Sequence, residues 1–166
     1  VISYDRCSMP DGKAGKDWSS FTTKFVIPEG VNKVTLRLSG SGECDFAADD
    51  FELKHLGKRD VFSKELSILN GGFEEALKNW TFWSRDNHPE SKAEAVKDAA
   101  EGAGGCRIVS VGDKDWSFTG VSYFPAAAGD RYKLSLQAKN NTGAKVTARA
   151  ELVGYRGGKV VRYDLG

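Results

Sequence analysis

From Tyr132 to Leu152 the chain alternates apolar and polar residues with a period of two, and nothing else in the sequence limits its fold so strongly. Tyr132, Leu134, Leu136 and Ala138 share one side of an extended chain, while Lys133, Ser135, Gln137 and Lys139 take the other. After Asn140-Asn141-Thr142-Gly143 the pattern resumes, with Val146, Ala148, Ala150 and Leu152 set against Thr147, Arg149 and Glu151. A period of two belongs to a half-buried β-strand, and an Asn/Gly cluster is turn chemistry. The segment is therefore expected to form a β-hairpin. A second hairpin is expected nearer the start. Phe21 to Ile27 alternates loosely and stops at Pro28-Glu29-Gly30; Val31 to Leu38 follows with Val34, Leu36 and Leu38 on one face, until Gly40-Ser41-Gly42 breaks the run.

Helical signal is weak. Ser91 to Ala100 is rich in Ala, Lys and Glu but lacks a sustained apolar face, and reads as a loop or a short surface helix. Short strands broken by Gly and Pro predict an all-β, antiparallel sandwich or barrel. At 166 residues the chain has the length of one such domain. Its net charge of +1, from 24 basic and 23 acidic residues, gives no electrostatic reason to expect nucleic acid or a membrane as partner. No apolar run approaches the roughly 20 residues a membrane-spanning helix needs. No leader is expected in it, and the start at Val1 suits a mature product or an excised fragment. Three cysteines, Cys7, Cys44 and Cys106, permit one disulfide at most, and no CxxC spacing accompanies His55 and His88. Zinc is therefore not expected, and the thiols read as small buried side chains. A short echo, Lys16-Asp17-Trp18-Ser19 against Lys114-Asp115-Trp116-Ser117, is too little for a repeat.

Two acidic segments stand at the ends of expected strands: Asp49-Asp50-Phe51-Glu52-Leu53, and Asn70-Gly71-Gly72-Phe73-Glu74-Glu75 with Asn79-Trp80-Thr81 after it. Adjacent carboxylates repel one another unless a cation or backbone N–H groups stabilise them. Calcium suits such a place, since it takes carboxylate and carbonyl oxygens in flexible geometry; solvated turn acids are the other reading. The segment Asn70 to Trp80 resembles the opening of carbohydrate-binding modules of families four, nine and twenty-two, which are galactose-binding-like jelly rolls. The resemblance continues through Gly104-Gly105-Cys106-Arg107-Ile108-Val109, Trp116-Ser117-Phe118-Thr119-Gly120, and Ala128-Gly129-Asp130-Arg131-Tyr132-Lys133-Leu134. The closing half of such a module resembles Trp18 to Phe25, Val26-Ile27-Pro28-Glu29-Gly30, Val34 to Leu38, and Asp49 to Leu53.

The halves stand in reversed order. Residues 1–57 resemble the closing half, 58–66 a linker, and 67–166 the opening half, so that the end Lys159 to Gly166 would run on into Val1-Ile2-Ser3. Both halves together are expected to make one circularly permuted jelly-roll sandwich. Complementing neighbouring modules of a larger tandem protein, head to tail, is the alternative. The resemblance implies a structural calcium ion, with Glu74 and Asp50 as the leading ligands and Asp49 and Glu75 as alternates. It also implies a secreted or cell-surface module that binds a polysaccharide, a β-glucan or xylan being expected. Sugar rings need exposed aromatic planes flanked by hydrogen-bonding groups. The expected ligand-binding residues are Trp116, at the family's cleft position, Trp83 in a loop, and Gln137, Arg149, Glu151 and Tyr155 on the polar sides of strands. No enzyme is expected. The acid pairs fall in the resemblance's structural region, and no G-x-S-x-G motif or histidine-activated nucleophile is visible. A structural or adhesive module of a surface array or fibre, without sugar binding, is the competing function.

Overall fold

The computed structural model describes residues 15–57, 64–144, 146–156 and 159–165. Twelve strands occur among them: β1 (Ser19–Val26), β2 (Lys33–Ser41), β3 (Cys44–Gly57), β4 (Lys64–Leu66), β5 (Trp80–Ser84), β6 (Lys92–Val96), β7 (Gly105–Ser110), β8 (Asp115–Gly120), β9 (Phe124–Pro125), β10 (Arg131–Asn140), β11 (Ala148–Arg156) and β12 (Lys159–Leu165). No helix is present among the described residues. Sheet I has the order β1-β10-β3-β7-β6, with β4 also on β3; sheet II has the order β12-β11-β2-β8-β5, with β9 also on β2. Every pairing is antiparallel. The chain is thus the all-β, antiparallel sandwich expected from its alternation.

The alternation located strands correctly and misassigned their partners. Phe21–Ile27 and Val31–Leu38 were expected to pair, but β1 lies in sheet I beside β10, and β2 lies in sheet II between β11 and β8. The same correction applies to the clearest pattern in the sequence, since β10 and β11 occupy opposite sheets. Both connections are arches that carry the chain across the core. Asn140 organises the second: its Oδ1 accepts from Thr142 N (3.0 Å) and Gly143 N (3.1 Å), and its Nδ2 donates to Ala144 O (2.6 Å). Turn residues report that the chain bends and leave open whether it returns to its own sheet. Lys92–Val96, within the Ala/Lys/Glu-rich stretch, is the edge strand β6, paired to β7. None of its side chains is fully buried, which gives no strand alternation to detect.

β1, β2 and β3 take all their described partners from residue 64 onward. β1 bonds to β10, β2 to β8, β9 and β11, and β3 to β4, β7 and β10. Strands of the two sequence halves are interleaved in both sheets.

Between the sheets sits an aromatic nucleus. Trp80 stacks on Phe118 (centroids 5.0 Å, planes 18° apart) and meets Phe51 at 5.1 Å and Phe73 at 5.3 Å. Asn70 shapes the turn that delivers Phe73 and Trp80. At φ 53° it donates from Nδ2 to Ala76 O (2.8 Å) and Lys78 O (2.9 Å) and accepts from Glu75 N (3.0 Å). Its carbonyl accepts the Trp80 indole N–H at 3.1 Å. Cys44 and Cys106 are buried free thiols on β3 and β7, and burial pushes the Cys44 thiol up to about 12; Cys7 lies outside the described residues.

Expressed alone, residues 15–57 should show no cooperative unfolding transition, because none of their strands has a partner within the fragment. Mixing them with residues 64–166 should restore a β-type circular dichroism spectrum and a cooperative melt. A melt from the short fragment alone would contradict the interleaving.

Candidate functional site

The outer face of sheet II carries one organised row of side chains. In β5, Trp80 and Phe82 turn toward the core, so Trp83 turns outward; it sits opposite Ser117 of β8. Ser117 sits opposite Ser39 of β2, and Ser39 opposite Arg149 of β11. Trp83, Ser117, Ser39 and Arg149 therefore cross four strands on one face, a backbone span of about 14 Å at ordinary strand spacing. The neighbouring row holds Thr81, Thr119, Arg37 and Glu151. A cleft of about 660 Å³ opens over the first row, bounded also by Arg85, Asp115 and Thr147. That volume is in the range of small-molecule and oligomer sites.

Trp83 is 48 % exposed. The Arg85 guanidinium stands 5.8 Å from its ring centroid, and Arg85 is itself held by Asp115 Oδ2 (Nη2 at 2.7 Å, Nε at 3.2 Å). Across the face, Arg37 donates to Glu151 Oε2 from Nε (3.0 Å) and Nη2 (2.5 Å), and Ser39 Oγ bonds to the other Glu151 oxygen. Arg149 has no hydrogen-bond or ion-pair partner among the described residues.

Trp116 does not present a stacking ring. It is 1 % exposed and faces inward with Phe118, its ring 5.7 Å from that of Phe46 in sheet I. It sits opposite Gly40, where a Cβ would stand 2.5 Å from Trp116 Cζ2, so the ring fills the space that glycine leaves. Trp116 thus forms the floor of the cleft, and its buried indole N–H has no acceptor among the described residues. Gln137, expected beside Arg149 and Glu151, lies on β10 between Ser20 and Asp49, in the other sheet. The shared parity of residue numbers fails because an arch separates β10 from β11. Tyr155 is on the face of sheet II, opposite Lys33 and thus several residues along from Arg149. There it packs edge-on to Tyr123 at 5.3 Å. Trp83 is on a strand, not in the expected loop. Sequence reasoning passes over Arg37, Ser39 and Ser117 as site residues; the signal is in the parity of their strands relative to Leu36, Leu38 and Phe118.

The acidic segments meet at the loop 98–104. Asp49 is fully buried, and its oxygens accept from Asp50 N (2.7 Å), Ala100 N (2.8 Å) and Glu101 N (3.2 Å). Burial nevertheless raises its carboxyl above the ordinary range. Glu74 Oε1 accepts from Ala103 N at 2.9 Å and leaves its second oxygen without a described partner. Glu75 pairs with Lys78, and Asp50 is exposed. Of the four carboxylates, only Asp49 has both oxygens committed to backbone N–H groups; Glu74 and Glu75 each keep one oxygen without a described partner, the other oxygen of Glu75 being held by Lys78, and Asp50 is exposed. No group of three or more His, Cys, Asp or Glu side chains is arranged to hold a metal among the described residues; a calcium shell here would need backbone carbonyls as well.

No protein-family model matches the chain, and no curated protein sequence matches it either.

Trp116→Ala should destabilise the fold by about 3–5 kcal/mol, as large core truncations do, read as a lowered denaturation midpoint in urea. Asp49→Ala, which strands three N–H donors, should cost about 1–3 kcal/mol by the same measurement.

Proposed function

We propose that this chain is a non-catalytic carbohydrate-binding module of jelly-roll type, which takes a polysaccharide on the outer face of sheet II. The observation that carries this reading is Trp83. A large aromatic ring is exposed on a strand, steadied by Arg85, and borders a cleft lined with hydroxyls and guanidinium groups. Aromatic stacking supplies affinity for the C–H faces of a sugar, and the flanking polar groups supply orientation. A β-glucan or xylan backbone suits such a flat, strand-built platform. Secretion or display at a cell surface, among neighbouring modules of a larger protein, follows from such a ligand.

A structural calcium ion at the loop 98–104 belongs to the same proposal. Glu74 and Asp50 would hold it together with loop carbonyls, joining residues from both sequence halves. An ion that binds only the folded state stabilises by RT ln(1 + [L]/Kd), about 2.7 kcal/mol at a hundredfold excess over Kd.

Trp83→Ala should abolish retardation of the protein in affinity gels containing xylan or β-glucan, with a melting temperature within a degree or two of wild type. Retardation unchanged in the variant would remove Trp83 from the site. A wild-type protein that ignores every polysaccharide in a broad panel would leave the scaffold role in its place. Adding calcium to chelator-treated protein should raise the melting temperature by several degrees, and Glu74→Gln should reduce that rise. No shift would exclude a structural calcium ion.

A further inference from the structure

The charges around the cleft are unevenly compensated. Arg85 has Asp115 and Arg37 has Glu151, each at ion-pair distance. Arg149 lines the same cleft without a described partner. The hydroxyls of Ser117 and Thr147, which line it too, also make no hydrogen bond to described residues. The chain as a whole carries +1, so this positive charge is a local property of the cleft.

We propose that the polysaccharide taken by this face carries carboxylate groups, as hexuronic acid residues do, and that Arg149 is the residue that reads them. The inference rests on the carbohydrate-binding function proposed above and narrows its ligand class. A guanidinium presents a planar fork of N–H donors that matches a carboxylate in two parallel, charge-assisted bonds. A neutral sugar can offer that fork a pair of hydroxyls but no opposite charge, so the bonds lose their charge assistance. The Asp115 and Glu151 carboxylates are already held by Arg85 and Arg37, so they leave the charge of Arg149 to the ligand. Ser117 and Thr147 add donors beside it. Stacking on Trp83 then supplies contact that any sugar face can make, and Arg149 supplies selection between acidic and neutral chains.

The test compares glucuronoxylan, polygalacturonate and alginate, each in its native form and after chemical reduction of its carboxyl groups to alcohols, by affinity electrophoresis and titration calorimetry. At least one native polyuronate should bind, and its reduced form should bind about tenfold more weakly or worse. Arg149→Gln should remove the difference in affinity between the native and reduced forms, while Arg149→Lys should keep part of it. Trp83→Ala should weaken both forms. Equal affinity for native and reduced forms, or an Arg149→Gln variant that still discriminates, overturns the acidic-ligand proposal and leaves the carbohydrate function standing. Binding to neutral β-glucan with none to the polyuronates has the same meaning. Failure of every polysaccharide to bind overturns both.

Discussion

The first three strands among the described residues form no hydrogen-bonded ladder with one another. Each waits for strands that follow it in the chain by tens of residues, and the sandwich exists only once they have arrived. Closing such distant pairs costs chain entropy before any contact repays it, which places the fold among slow, topology-limited folders. The functional face inherits this dependence. The row from Trp83 to Arg149 is continuous only because β2 inserts between β8 and β11, so the cleft is absent from any partly assembled state.

Strands were readable from the sequence wherever one side is buried and the other wet, as in β10 with its unbroken inside–outside alternation. Their partners were not, because alternation records which face is buried and carries no information about the neighbouring strand. Asn140-Asn141-Thr142-Gly143 promises a bend, and a bend serves an arch as well as a hairpin. β6 was hidden for the opposite reason: an edge strand with little burial keeps a composition that local preference would spend on a helix. The candidate site shows the same division. Half-buried Arg149 and exposed Trp83 are identifiable as polar-side and aromatic residues. Trp116 was assigned to the cleft on resemblance, although it shares the parity of Phe118 and faces a glycine that makes room for its ring.

Carboxylates divide their labour in this molecule. Asp49 holds the backbone of the loop 98–104 from beneath, and Glu74 grips the same loop from the turn that also delivers Phe73 to the core. Glu151 and Asp115 hold arginines flat along the rim of the cleft. Two acids thus fix a loop and two fix cations, and both uses convert a charge into position. The exposed Arg85–Asp115 pair shapes the site more than it stabilises the fold, in keeping with the small worth of exposed ion pairs.

The Asn70 turn has a consequence for chemical ageing. Asn-Gly is the dipeptide at which chains deamidate most readily, since the unhindered glycine nitrogen closes onto the side-chain amide. In Asn70-Gly71 that amide is tied at both ends, through Nδ2 to two carbonyl oxygens and through Oδ1 to the Glu75 N–H. Ring closure must first break these bonds, so the rate of damage follows the opening of this one turn. Once formed, an aspartate at position 70 would set a carboxylate against the carbonyl oxygens of Ala76 and Lys78. A change of a single atom group would then loosen the turn that delivers Phe73 and Trp80 to the aromatic nucleus.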